Sequence, residues 1–369
     1  LMAYLEQFGH GGDLLTASAL FGVTPEKLLD FSANINPLGP PPVVLEAVER
    51  EMQNIVHYPD PAHRLFMRAL AEKYQVTEEM LLAGNGAAEC MALLLLSLAP
   101  KTVGVIYPSF VEYEQLARRF GASVIGCTGR EEQGFLPSLE DLRSLLKAVD
   151  VLFIGHPNNP TGLMYGKEEL HQLAIWAEES GTYLAIDEAF IDFLPEGAQP
   201  TLLPELQAYP HVILLRSLTK FYAIPGLRLG FAVAHPAVIQ RMREKQVPWS
   251  VNRLALAAGE ACCRTGAYES ETRALIARER QYLSENLAKR FGFYVWPGQA
   301  NFLLVRLPET MTAQVLQQKL GQRGILIRSC AMYPGLTPHD FRVAVRDRKD
   351  NARLLAALTE VLDKRGRGF

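Results

Sequence analysis

The sequence predicts an α/β protein, a mostly parallel sheet with a smaller α+β domain attached. Three observations carry that prediction. Short apolar, β-rich runs alternate with helix-length stretches from about residue 80, polar or glycine-containing segments follow those runs directly, and long helical stretches take over after Trp249. Leu81-Leu82 leads through a glycine-containing turn into a helical run at 90–98. Runs at 103–107, 151–155, 183–186, 212–215 and 229–233 are short enough for buried strands, and 167–180 has helical spacing. Further on, 254–264 and 274–290 read as helices, 302–306, 325–327 and 341–345 as strands, and 313–323 as a helix. Residues 1–35 have weak periodicity. They are expected to form an arm packed on another part of the molecule or on a second subunit, before a large domain at 36–250 and a small one at 251–369.

The bulk chemistry narrows the function. With 49 % hydrophobic residues the chain can bury a large core, and 37 basic against 40 acidic residues, without a long block of either sign, lack the footprint of a nucleic-acid binder. Five cysteines without CxxC spacing suggest reduced thiols in a cytoplasmic protein, and eight histidines without HxxxH or HExxH argue against a metal enzyme. The most apolar run is too short to span a bilayer, and no basic segment leads into an apolar one near the N-terminus, so a soluble protein is expected.

In an open α/β sheet a ligand sits beyond the carboxyl ends of the strands. Four segments fall at such places. Ala83-Gly84-Asn85-Gly86-Ala87-Ala88 opens a helix, where free N–H groups can cradle an anion, although a glycine turn before a helix is commonly only a turn. His156-Pro157-Asn158-Asn159-Pro160 holds an amide between prolines, either a fixed donor or an ordinary Asx-Pro turn. Asp187 ends an apolar run, and burying it requires a cation or an N–H partner; a cap or a structural ion pair would serve equally. In Arg216-Ser217-Leu218-Thr219-Lys220, followed by Arg228, a lysine stands among hydroxyls and near a second cation, which suits an amine of lowered pKa. A lysine snorkelling at a strand end is the plain alternative for that residue alone. The ordered set of four is much harder to explain by chance.

The run Asn158-Asn159-Pro160-Thr161-Gly162, then Asp187-Glu188-Ala189-Phe190, Ser217-Leu218-Thr219-Lys220 and Gly226-Leu227-Arg228-Leu229-Gly230 resembles the fold-type I enzymes that use pyridoxal 5'-phosphate (PLP), in the histidinol-phosphate aminotransferase-like branch. The resemblance extends from Asp30 to Arg346 and implies an aspartate aminotransferase-like fold with a seven-stranded, mostly parallel sheet. It implies that Lys220 is the Schiff-base lysine, that Asp187 pairs the ring nitrogen, that Asn159 meets the ring hydroxyl and that Phe110 stacks on the ring. Gly86, Ala87, Ser217, Thr219 and Arg228 resemble a phosphate site, which Tyr58 would complete from a neighbouring subunit in a homodimer. Phe190 departs from the branch, where a tyrosine usually donates to the cofactor. His10-Gly11-Gly12, the stretch 30–40 and Arg328 with Tyr333-Pro334-Gly335 look most like the decarboxylases that act on L-threonine O-3-phosphate in cobalamin biosynthesis. His10, Gly11, Asn34, Asn159, Arg328 and Arg342 are then the implied substrate contacts. A histidinol-phosphate aminotransferase and a PLP-binding regulatory module without turnover are the alternatives; no added DNA-binding segment marks the latter.

Overall fold

The computed structural model describes Leu5 and residues 11–363. Its strands are β1 (Leu29–Asp30), β2 (Leu81–Gly84), β3 (Thr102–Tyr107), β4 (Ser123–Thr128), β5 (Val151–Gly155), β6 (Tyr183–Asp187), β7 (Val212–Ser217), β8 (Gly230–Ala234), β9 (Tyr294–Val295), β10 (Phe302–Arg306), β11 (Ile325–Leu326), β12 (Arg328–Ser329) and β13 (Asp340–Ala344). A seven-stranded sheet has the order β2-β8-β7-β6-β5-β3-β4, in which β8 alone runs against its neighbours. The architecture is therefore that of an aspartate aminotransferase-like fold.

Strands β5, β7 and β8 are buried along their whole length, as expected where helices cover both faces of a sheet. Apolar residues on the two faces belong to separate clusters, with Leu152, Ile154 and Leu214 in one and Val151, Phe153 and Leu215 in the other. That alternation is the period-two pleat of a central strand. The edge strand β4 is largely exposed and lacks this signal, and sequence periodicity missed it.

Beyond the main sheet, β12-β13-β10-β9 forms an antiparallel sheet with the helices Gly266–Phe291, Ala313–Gly321 and Arg348–Asp363 nearby. The run expected at 325–327 is two strands: β11 pairs in parallel with β1, and β12 pairs with β13. The pairing partner changes at Ile327, which a continuous apolar run does not reveal. The helix Leu14–Phe21 lies against this part, with the Phe21 ring filling the space beside Gly321. The helix Arg253–Cys262 packs on Pro42–Met52 and Arg64–Tyr74.

Register fixes what meets at the carboxyl ends of the strands. Gly155 is opposite Asp187, Ser217 is opposite Gly230, and Gly230 is also opposite Gly84. Under this edge Arg216 is anchored by Glu188 at 2.7 Å and Asp192 at 3.1 Å, with its guanidinium 5.3 Å from the Tyr74 ring centroid. No helix among the described residues is long and apolar enough to cross a membrane.

Gly230 lets β8 approach the turn after β2, because a Cβ there would lie 2.4 Å from the Ala87 nitrogen and 2.7 Å from the Arg216 oxygen. Both neighbours are backbone. Gly230→Ala is expected to destabilise the fold by about 1–3 kcal/mol, measured by urea unfolding, whereas Gly266→Ala, in open space at a helix start, should be close to neutral.

Candidate active site

Lys220 follows β7 on the short helix Leu218–Phe221. Its Nζ donates to Ser217 Oγ at 3.3 Å, and Ser217 Oγ is 2.8 Å from Thr219 Oγ1. Burial pushes the amine pKa down to about 8; the Asp187 carboxylate opposes this and the Arg228 cation reinforces it. A lysine so placed has an accessible neutral form near neutral pH, which a nucleophilic amine needs.

Asp187 ends β6 and is 7 % exposed. Burial raises its pKa, while the Tyr113 hydroxyl, the Ala189 N–H and the charge of Lys220 favour the carboxylate. Tyr113 donates to Oδ2 at 2.7 Å and Ala189 to Oδ1 at 3.0 Å. Tyr113 is itself stacked on Phe153, with centroids 5.2 Å apart, and Phe110 meets it edge-on at 5.7 Å.

Gly86 caps the helix Ala87–Leu98 with φ of 85°, a left-handed conformation open to glycine. A Cβ on Gly86 would stand 2.6 Å from Arg228 Nη2, so glycine lets the guanidinium close over a helix N-terminus. Arg228, itself at φ 58°, shares one cavity with Gly86, Ala87, Ser217 and Lys220. Phe110, Asn159, Asp187 and Phe190 line the same cavity. Thr219 is buried and hydrogen-bonded to Ser217, which lines the cavity, without lining it itself.

A second cluster adjoins Asn159. Arg342 donates to Asn159 Oδ1 at 2.5 Å and to the Ser32 carbonyl at 2.6 Å, and its guanidinium is 5.4 Å from the Phe302 ring centroid. Arg328 is directly opposite Arg342 in the β12–β13 register and is 2 % exposed. Gly11 lies against Ser32, with a Cβ there only 2.2 Å from the Ser32 oxygen, and lines a recess with Arg328. Among the described residues, the buried Asn34 Oδ1 and Arg342 Nε have no hydrogen-bond partner. Buried polar atoms of this kind ordinarily have a partner, protein or otherwise.

Tyr58 is apart from these groups. It is 75 % exposed and stacks on Trp249 at 4.7 Å, away from the cavity of Lys220. His10 lies outside the described residues. Sequence reading missed the roles of Ser32 and Tyr113. Nothing local marks Tyr113 as the partner of an acid 74 positions away.

The donor set fits PLP. An amine of lowered pKa faces a buried carboxylate able to pair a ring N–H, and a helix start with an arginine forms an anion cradle shaped by the missing Cβ of Gly86. Fold and site together define a PLP-dependent enzyme of fold type I. The family model for aminotransferase class I and II matches residues 26–358, and the chain belongs to that family. It is 41 % identical to the threonine-phosphate decarboxylase of Salmonella typhimurium over 96 % of both chains. It is 32 % identical to a histidinol-phosphate aminotransferase of Anaeromyxobacter, over 93 % of this chain and 92 % of that one. Among solved structures, the histidinol-phosphate aminotransferase of Clostridium acetobutylicum superposes with a TM-score of 0.86 at 33 % identity, covering 91 % of this chain and all of that one.

Two outcomes follow from the charges. Capture of added PLP by cofactor-free protein should accelerate as pH rises through about 8, where the Lys220 amine loses its proton; stopped-flow absorbance reads the rate, and Lys220→Ala should show no borohydride-trapped adduct. Tyr113→Phe removes a bond that favours the Asp187 carboxylate, so on acidification PLP should be released at a higher pH than from the parent, as followed by equilibrium dialysis.

Proposed function

We propose that this chain decarboxylates L-threonine O-3-phosphate to (R)-1-amino-2-propanol phosphate in cobalamin biosynthesis. The observation that carries the reading is the pair Arg328 and Arg342, buried and opposite each other on adjacent strands. A substrate with both a carboxylate and a phosphate offers two anions to such a pair, and planar guanidinium forks suit either group. The similarity to the Salmonella enzyme supports the decarboxylase over the aminotransferase.

When bound, PLP supplies an electron sink that weakens whichever Cα bond stands perpendicular to its ring. The protein's part is orientation. Lys220 holds the cofactor and stands ready to carry a proton at Cα, Asp187 keeps the ring nitrogen protonated, and Phe110 covers the ring. Gly86, Ala87, Ser217, Thr219 and Arg228 bind the cofactor phosphate. Asn159 presents its amide to the ring hydroxyl, its Oδ1 being occupied by Arg342. Because Phe190 has no hydroxyl, this amide carries more of that task than in relatives with tyrosine. Arg328, Arg342 and Asn34, with Gly11 and His10 from the arm, hold the substrate by its charged ends. That grip selects the bond to be broken.

The same reading makes the enzyme a cytoplasmic homodimer, with the arm at 1–35, the large domain at 36–250 and the small domain at 251–369. Exposed Val43, Leu45, Met52, Ile55 and Val56 precede exposed Tyr58 in the chain. An apolar surface of this kind suits a partner subunit, across which Tyr58 would reach the cofactor phosphate.

Carbon dioxide should be released from L-threonine phosphate without any keto-acid acceptor. Strict dependence on 2-oxoglutarate, with turnover of histidinol phosphate, would overturn the assignment in favour of the aminotransferase. Arg342→Ala should lower kcat/KM about a hundredfold or more, as loss of a buried charged contact does, while leaving borohydride trapping at Lys220 intact.

A further inference from the structure

Lys220 stands on a helix of only four residues, Leu218–Phe221. Carbonyls at the end of so short a helix lack a following turn to bond with and need donors from elsewhere. The chain beyond sharpens that need. The residue four positions after Phe221 is Pro225, which has no N–H, and four after Lys220 is Ile224, whose N–H goes to the Thr219 carbonyl at 3.0 Å. Ala223, at φ 52°, turns the chain away and gives the Lys220 carbonyl a long bond of 3.4 Å.

Asn36 supplies the missing donors. Its backbone N–H donates to the Lys220 carbonyl at 3.1 Å, and its Nδ2 donates to the Phe221 carbonyl at 2.8 Å. One residue thus holds two successive carbonyls, the first belonging to the lysine itself. The orientation of the amide is settled by Oδ1, which accepts the Leu38 N–H at 3.1 Å and leaves Nδ2 as the donor. Nδ2 also meets the Tyr268 hydroxyl and Thr272 Oγ1, both at 2.8 Å, on the helix Gly266–Phe291. The Tyr268 hydroxyl lies 3.2 Å from the Phe221 carbonyl as well, but it has one proton and its shorter bond goes to the Gly39 carbonyl at 2.7 Å. Asn36 is 3 % exposed and Thr272 is buried, so water does not compete for these bonds. Two residues earlier, the Asn34 carbonyl accepts from Asn301 Nδ2 at 3.0 Å, just before β10. The segment that carries Asn36 is therefore anchored on both sides.

The tip of the lysine is held far less firmly, by the 3.3 Å bond from Nζ to Ser217 Oγ. Where the tip is held loosely, the placement of the amine depends on where the backbone puts its Cα. We infer that Asn36 is a positioning residue for the lysine: by holding the carbonyls of Lys220 and Phe221 it fixes the backbone from which the amine reaches the cofactor. This rests on the reading of Lys220 as the amine that captures PLP.

For the test, full-length protein is stripped of PLP, and recapture, in which the neutral amine adds to the aldehyde and water leaves, is followed by stopped-flow absorbance. Borohydride trapping and peptide mapping identify the residue that has reacted. N36A removes the bond to the Phe221 carbonyl and should recapture PLP about tenfold more slowly than the parent, because a misplaced reacting group loses rate steeply. T272V is the control, since it takes a hydrogen bond from the same buried amide and leaves both carbonyls bonded. It should lower the melting temperature yet recapture within about twofold of the parent, the placement of the lysine being kept. N36S, a smaller perturbation, serves if N36A does not fold, and should be slowed in the same sense. Recapture at the parent's rate by a folded Asn36 variant overturns the inference, as does equal slowing in T272V, which would trace the effect to lost stability. Absence of a trapped adduct at Lys220 in the parent would overturn the reading of Lys220 instead, an outcome separate from failure of Asn36.

Discussion

A carboxylate and an amine are held out of water at the ends of adjacent strands, and the chemistry of the molecule depends on that pair. Desolvation acts on both in opposite senses: it pushes the Lys220 amine down to about 8 and the Asp187 carboxyl up. Left alone, the two groups would each drift toward neutrality. The Tyr113 hydroxyl, the Ala189 N–H and the charge of Lys220 oppose this for Asp187, whose pKa burial still raises. For Lys220 the opposing influence is the Asp187 charge, and its hydrogen bond to Ser217 is long at 3.3 Å. An amine of lowered pKa beside a carboxylate is what a covalent amine site requires.

The cavity around that pair is assembled from chain segments whose close approach depends on missing side-chain atoms. Gly86 admits Arg228, and Gly230 admits the helix start at Ala87. The positive end of the helix Ala87–Leu98 and the guanidinium consequently converge on one anion cradle. The Arg216 cluster with Glu188 and Asp192 stands beneath the same strand ends, so the polar groups that would otherwise be costly to bury satisfy one another.

Beside that cavity, one guanidinium joins three distant stretches of chain. Arg342 of β13 binds the Ser32 carbonyl and the Asn159 amide oxygen while lying against Phe302. Its orientation therefore depends on the segment at Ser32, the cavity of Lys220 and the antiparallel sheet together. A shift of the antiparallel sheet relative to the cavity of Lys220 would therefore be felt at Arg342.

Much of this was legible before any coordinates. Central strands such as β5 and β7 are unbroken apolar runs because both faces are buried, and the ordered motifs around Gly86, Asn159, Asp187 and Lys220 occupy the strand ends where α/β ligands bind. The edge strand β4, the division of 325–327 between two sheets and the reversal of β8 were not legible, because exposure and pairing direction leave little trace in a local pattern. Sequence by itself determined the fold class, the family and the cofactor, since these reside in local runs and fixed motifs. Only the tertiary structure decided that Tyr113 supports Asp187, that Arg342 binds Asn159 and that Arg328 lies opposite Arg342, because hydrogen bonds and strand pairing depend on distances between segments apart along the chain.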